Sequence, residues 1–348
     1  MKKFILTTML IVSIAHSFAG IKRLGYWGTP VIGVDYATPA LAVAACAVGD
    51  SLYIYGSGWT IDVTKRLNII GSGYFYAANQ PSNTNFNANL QNYNAYTGAI
   101  IQLSDGSSST IITGIVGYVY VNTSHTSSIN NIRISNCYWN GVPTMLKAGI
   151  TYDGWEISKC YVANGQINYN PTTAKLTNFK ILNNIFQSGS FSISTVAGQT
   201  GIVENCTFYS YYIGNGFSGA NMLLQNCIFI NANLTGYNNA VFNNCLFDGV
   251  PSPGIVGSNN ILSVPQNNIF SGLPTQGTLS DDGRWALKPT SPALAAGVAG
   301  IDCGAFGGVN PYKLSGIPAV PAFYKLTAPS TSASSNPYTL TFSVRANN

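Results

Sequence analysis

The chain has 348 residues, a formal net charge of +5 and only 8% charged side chains. That length suits one large domain with a substantial core, and charges this sparse and scattered exclude a nucleic-acid-binding role. Hydrophobic residues make up 46% of the sequence, which excludes a disordered chain; Glu occurs only at 156 and 204, while Gly (36) and Tyr (21) are abundant, so strand and turn formers dominate and the expected class is all-β.

In chain order, residues 1–19 are expected to be a secretory signal. Lys2 and Lys3 supply the positive start, Phe4 to Ala15 the apolar stretch, and Ser17-Phe18-Ala19 the small residues of a cleavage site. The apolar run is shorter than the ~20 residues a membrane span needs, and nothing later is long and apolar enough to cross a bilayer. The expected location is therefore secreted or cell-surface. Thr38-Pro39 opens a short capping helix that runs to Val48 and ends at Gly49-Asp50. Strands are expected at Ser51–Tyr55, Trp59–Val63 and Arg66–Ile70, with a turn at Gly71–Gly73. Residues 77–98 read as a long loop, and 99–121 return to strand-like runs such as Thr110–Ile112 and Tyr118–Val121.

From 130 to 250 the sequence repeats itself. Six segments, NIRISNCYW, GWEISKCYV, NFKILNNIF, GIVENCTF, MLLQNCIF and AVFNNCLF, align on Cys137, Cys160, Asn184, Cys206, Cys227 and Cys245. The anchors are 23, 24, 22, 21 and 18 residues apart, the length of one coil of a parallel β-solenoid whose coils must stack to bury their faces. Residues five and three before each anchor alternate with others at period two and point inward: Ile132 and Ile134, Trp155 and Ile157, Phe179 and Ile181, Gly201 and Val203, Met222 and Leu224, Ala240 and Phe242. The residue before the anchor is Asn136, Lys159, Asn183, Asn205, Asn226 and Asn244, a column suited to a left-handed turn and to an amide ladder along the axis. Two residues after the anchor run Trp139, Val162, Phe186, Phe208, Phe229 and Phe247, an internal aromatic stack. The anchor Cys residues are then small buried core side chains, expected as free thiols; no CxxC pair or accompanying His makes a zinc pattern.

One residue after the anchor run Tyr138, Tyr161, Ile185, Thr207, Ile228 and Leu246. Their neighbours face in, so they face out. A mostly apolar outward stripe calls for a cover: the C-terminal tail, a loop, or a second subunit through self-association. The tail itself, 317–348, is expected to hold two strands, one of them within Tyr338–Val344. The domain expectation is a signal over 1–19, a β-helix over 20–316 and a C-terminal β tail over 317–348.

Two end motifs carry a resemblance. Ala40-Leu41-Ala42 through Gly49-Asp50-Ser51-Leu52-Tyr53-Ile54, with Leu67-Asn68-Ile69-Ile70-Gly71, resembles the opening of pectate-lyase-like β-helix proteins. Ser291-Pro292-Ala293-Leu294, Gly297 and Ile301-Asp302-Cys303-Gly304-Ala305-Phe306 are similar to the ending of right-handed β-helix repeat proteins. The resemblance covers about 35–310 and implies a right-handed parallel β-helix solenoid. Among such proteins are lyases, which use calcium-holding carboxylates with an Arg or Lys, hydrolases with paired Asp residues, and plain binding proteins.

The charged residues that could carry such chemistry are Arg133, Glu156 and Lys180, four residues before successive anchors and so stacked outward, with Asp153 and Lys159 nearby. Set against this is a surface ladder of alternating sign, the favoured reading. Asp50 and Asp302 belong to end motifs, and Asp281-Asp282 reads as a turn. His125 has no readable Cys, Ser or Asp partner, which leaves a His-based triad unsupported. Two readings of the tyrosines stand side by side: exposed ones stack on glycan, with Tyr138 and Tyr161, the group Tyr209, Tyr211 and Tyr212, and Tyr93 with Tyr96 as candidates, or several of them fill the core or support turns. The expected function is an exported, non-enzymatic β-helix scaffold or adhesin-like protein that contacts polysaccharide or another cell-surface component. A polysaccharide lyase or glycoside hydrolase is the alternative. No metal or other cofactor is expected, except calcium under the lyase alternative.

Overall fold

A computed structural model describes residues 20–25, 30–56, 58–75, 99–139, 147–169, 174–193, 198–213, 220–234, 240–251, 255–316, 322–327 and 341–345. The expected signal at 1–19, the whole loop at 77–98, including Tyr93 and Tyr96, and much of the tail lie outside these residues. The chain is mostly β, wound as a parallel β-solenoid.

Each coil begins with the inward pair. Ile134, Ile157, Ile181, Val203, Leu224 and Phe242 are buried on strands that pair in parallel, residue above residue. With earlier strands such as Ser51–Ile54 and Ile111–Thr113, they form a parallel sheet of eleven strands. Gly201 belongs to the inward column because Phe179 fills the space beneath it: a Cβ at 201 would sit 2.6 Å from the Phe179 ring.

The chain then turns sharply. Asn136, Lys159, Asn183, Asn205, Asn226 and Asn244 all have φ between +50° and +56°, the left-handed region that Asn tolerates best among residues with a side chain. The anchor follows. Its carbonyl accepts the N–H of the residue after the next anchor: Cys137 O from Tyr161, Cys160 O from Ile185, Asn184 O from Thr207, Cys206 O from Ile228 and Cys227 O from Leu246, each at 2.9 Å. The anchors therefore line up along one axis. All seven thiols are free and buried.

Beyond the anchor runs the second sheet of ten strands, among them Thr60–Val63, Ala99–Leu103, Val116–Val121, Tyr161–Tyr169 and Thr207–Ile213. The aromatic column is continuous inside it. Phe186, Phe208, Phe229 and Phe247 stack nearly parallel, with centroids 4.6, 5.0 and 4.9 Å apart. A short third wall pairs Thr151–Asp153 with Lys175–Thr177.

The repeat extends beyond 245. Ile261 N–H bonds Cys245 O at 2.9 Å, and Asn259 has φ +57°, which makes Asn260 a further anchor. Asn260 and Asn184 behave alike. Each side-chain oxygen accepts the N–H of the Cys anchor one coil earlier (2.9 and 2.8 Å), and each amide donates to a carbonyl of that coil (2.8 and 2.9 Å).

At the N-terminal end, helix Pro39–Ala45 covers the first coils with buried Ala42 and Val43. The Thr38 hydroxyl accepts Leu41 N–H at 3.4 Å, and Pro occupies the first turn, where its missing N–H costs nothing. The Asp50 carboxylate fixes the helix exit by accepting Gly20 N–H (2.6 Å) and Ala47 N–H (2.8 Å).

After Ile261 the chain leaves the coil path and returns over the outer face of the second sheet as an irregular segment with four short 3-10 turns. This segment, not the C-terminal tail, covers the outward stripe. Tyr138, Tyr161, Ile185, Ile228 and Leu246 are buried in a second apolar cluster with Val264, Ile269, Phe270, Trp285, Ala293, Cys303, Ala305 and Tyr312. The self-association expected of that stripe is thus replaced by an intramolecular contact. The Asn column is redirected too. Along the column Asn226 Nδ2 donates to Asn205 Oδ1 at 3.5 Å, while Asn183 donates to Ala305 O (3.0 Å) and Gly307 O (2.8 Å). Asn205 donates to Asp302 O (3.0 Å), Asn244 donates to Ala296 O (3.0 Å), and Asn226 accepts Val298 N–H (2.9 Å). Amides that turn the chain thus also hold the cover, since the irregular segment offers backbone groups that need partners. The tail strands Ala322–Thr327 and Thr341–Arg345 pair with each other as an antiparallel hairpin.

Candidate functional site

Three parts of the two large sheets bear on function. On the first sheet, Glu156 lies in register between Arg133 and Lys180, as the repeat predicts. Arg133 and Lys180 are exposed and Glu156 half-buried. Glu156 accepts from the Ser158 hydroxyl at 3.2 Å. Among the described residues, none of the three forms an ion pair within 4.0 Å, so the row is an open ladder of alternating charge.

The other two charged candidates do not join it. Asp153 lies on the third wall, where Thr177 Oγ1 (2.6 Å) and Asn178 Nδ2 (2.8 Å) donate to it and hold its carboxyl below the usual range. Lys159 occupies a left-handed turn and donates to Asn310 of the cover; burial, then the nearby Lys313 charge, lower its pKa.

The second surface, the covered half of the second sheet, overturns the reading of Tyr138 and Tyr161 as glycan contacts. Their rings stack on each other (5.7 Å, 11°) beneath Phe75, at 7% and 1% exposure, because the cover needs the apolar faces that sugar stacking would have used. Tyr161 donates to Gln187, and burial pushes its phenol up. Tyr209 is half-buried against Trp285, with ring centroids 4.9 Å apart, and the Arg284 guanidinium lies 4.5 Å from the Trp285 ring centre. The side chains of Tyr211 and Tyr212, farther along the same strand, lie outside the described residues.

The third surface is the earlier half of the second sheet. Strand Val116–Val121 alternates half-buried and buried, so Gly117, Val119 and Val121 face in while Tyr118 and Tyr120 face out. They are beside Ile100 and Gln102 of one neighbouring strand, which are beside Thr60 and Asp62 of the next. The Tyr rings are 6.4 Å apart and tilted by 39°. Tyr120 donates to Gln102 Oε1, Ser104 Oγ donates to Asp62 Oδ1 at 2.5 Å, and Asn122 Nδ2 donates to Ser104 at 3.0 Å. Tyr118 and Tyr120 escaped the sequence reading, although their i, i+2 spacing within a buried alternation would have placed them outward.

His125 does have partners: its ring nitrogens lie 2.5 Å from Asn122 O and 2.6 Å from Tyr152 Oη, in a buried network completed by Lys147 N–H on Tyr152 (2.9 Å). Among the described residues no Cys, Ser or Asp side chain belongs to it.

The acids share one property. All eleven accept at least one hydrogen bond within the fold. Asp105 accepts from Ser127 and Thr126, Glu204 from Gln225, Asp248 from Asn231, Asp281 from Gln276, Asp302 from Ala295, and Asp35 from Arg23 and Val31. Asp282, fully buried, accepts from Ser315 N–H (2.8 Å) and Tyr312 (3.2 Å). Among the described residues no three His, Cys, Asp or Glu side chains gather into a set that could hold a metal ion. These carboxylates accept donors at separate turns. A pocket of about 330 Å³ opens beside Phe229, Leu234, Phe247 and Asp248 where the coils shorten. Among the described residues no helix is long and apolar enough to cross a membrane.

No protein-family model matches this chain, and no match is found to it among the curated proteins or the solved structures.

Proposed function

We propose that this chain is an exported, non-enzymatic β-helix protein, a surface scaffold or adhesin-like module that contacts glycans. The observation that supports it is the engagement of every carboxylate by a hydrogen-bond donor of the fold. Glycoside hydrolysis needs two carboxyl groups facing each other across one groove, and lyase chemistry needs acids around calcium with a cation opposite. Here the Arg133–Glu156–Lys180 row has both signs, but its one acid is flanked by cations and no second acid faces it. Kinship with the pectate-lyase-like proteins belongs to the proposal and is supported by the end motifs and by the parallel winding.

The test is a panel of acidic and neutral polysaccharides, with and without calcium, assayed for unsaturated products and for new reducing ends. Neither is expected. Release of unsaturated oligosaccharides establishes the lyase alternative in place of this reading, and new reducing ends without unsaturation establish the hydrolase. Export is tested separately by N-terminal sequencing of the protein from the culture medium or cell surface, with a start after Ala19 expected.

A further inference from the structure

We infer that the glycan contact in this reading is made by the earlier half of the second sheet, at Tyr118, Tyr120, Gln102 and Asp62, and that its ligand is an uncharged polysaccharide. This assignment rests on the scaffold reading and gives it a site.

The wall differs from the rest of the solenoid. The cover's apolar cluster reaches Val116 and includes neither Tyr118 nor Tyr120. Both rings stand outward on a rigid strand whose alternate residues are locked in the core, so little side-chain entropy is lost on binding. An outward Tyr combines an apolar face with a polar tip. The C–H face of a pyranose ring suits the first and its hydroxyls the second. Polar groups stand in the adjoining strands at cross-strand spacing of about 4.8 Å. The second oxygen of Asp62 and the amide N–H groups of Gln102 find no partner among the described residues, which leaves an acceptor beside a donor, the complement of a vicinal diol. Charge selects the polymer. Among the described residues of these strands the one group ionised at neutral pH is the exposed Asp62 carboxylate, which repels uronate or sulfate chains. The cations Arg133 and Lys180 lie on the other sheet.

Affinity electrophoresis tests the site, with native gels containing hydroxyethyl cellulose, xylan, galactomannan or polygalacturonate. The wild-type protein is compared with Tyr118→Ala/Tyr120→Ala, with Gln102→Ala, and with Arg133→Ala/Lys180→Ala. Thermal melts check each fold; should the double Tyr variant fail to fold, Gln102→Ala and Asp62→Asn carry the comparison. The expected result is retardation by at least one neutral polymer, weakened about tenfold or more in the wall variants and unchanged in Arg133→Ala/Lys180→Ala. Retardation that survives the wall variants overturns the site while leaving glycan contact standing. So does retardation by polygalacturonate alone that is lost in Arg133→Ala/Lys180→Ala. Free migration of the wild-type protein in every gel sinks the site and the glycan-contacting part of the reading together.

Discussion

The hydroxyl of Tyr74, at the start of the solenoid, lies 2.7 Å from the hydroxyl of Tyr312, near the end of the cover. Tyr312 in turn donates to the buried Asp282 at 3.2 Å, so one phenol joins the first coils to the returning segment. Tyr312→Phe keeps the ring and removes this bridge, leaving a buried hydroxyl and a carboxylate each short of a partner. The expected cost is about 1–3 kcal/mol, read from urea denaturation. A loss below about 0.5 kcal/mol, the range of an ordinary surface change, would contradict the bridge.

The buried phenols and thiols make stability fall at alkaline pH. Burial raises Tyr74 and Tyr312 well above the usual 10.0, Tyr152 to about 12, Cys160, Cys206 and Cys227 well above the usual 9.0, and Cys303 to about 12. Their folded values are raised, so the unfolded chain ionises first. The stability they contribute is whole below the unfolded value near 9 and is lost as pH climbs toward the folded ones. Each group that is ionised only in the unfolded chain steepens the fall by about 1.4 kcal/mol per pH unit. Urea midpoints taken at about pH 8 and about pH 11 should drop, and the Cys206→Ala/Cys227→Ala variant should show a shallower drop.

The aromatic column should respond to truncation at its middle. Phe229 is held between Phe208 at 5.0 Å and Phe247 at 4.9 Å. Phe229→Ala is expected to cost on the order of 3–5 kcal/mol, and Lys180→Ala, on the exposed ladder, less than about 0.5 kcal/mol. Chemical denaturation of the pair decides it, and a loss below about 1 kcal/mol at Phe229 would place that ring outside a packed stack.

The turn column separates backbone from side-chain effects. Asn183 has φ +54° and two amide bonds to the cover. Asn183→Gly keeps the backbone at ease and loses only the bonds. Asn183→Ala loses the bonds and adds about 1–2 kcal/mol of left-handed strain. Thermal or urea unfolding should therefore rank wild type above Gly and Gly above Ala. Equal stability of the two variants would show that the turn is not strained.

The free thiols should be silent until the coils open. Seven buried cysteines, six of them near the solenoid axis or its cap, have no access to solvent in the folded chain. Thiol-specific reagents are expected to label none in buffer and all seven in denaturant. Rapid labelling of Cys206 or Cys227 in the native protein, located by peptide mass, would refute the stacked placement.

Much of the coil could be read from single positions. Trp155 with Ile157, and Cys160 with Val162 beyond the turn, alternate inward because a strand shows its faces at period two, and Asn183 marks the bend because few other residues adopt φ near +54°. The same logic placed Tyr138 and Tyr161 outward, and they are outward, yet nothing local distinguishes an outward ring facing solvent from one under a cover. Asn260 escaped the alignment because its coil is only 15 residues from Cys245 and lacks the aromatic two positions later. Its kinship with Asn184 lies in what its amide bonds, a fact of three dimensions.

The sequence by itself determined the winding: a period of roughly two dozen residues, a left-handed Asn at each bend and inward apolar pairs leave parallel stacking as the way to bury those columns, since each constraint acts within one coil. The tertiary structure alone decided which outer surfaces remain available. The irregular segment after Ile261 closes one half of the second sheet through contacts such as Tyr74 with Tyr312, 238 positions apart, and its apolar cluster includes neither Tyr118 nor Tyr120. Which surface a segment without periodicity chooses depends on complementarity to groups that only the finished coils bring together.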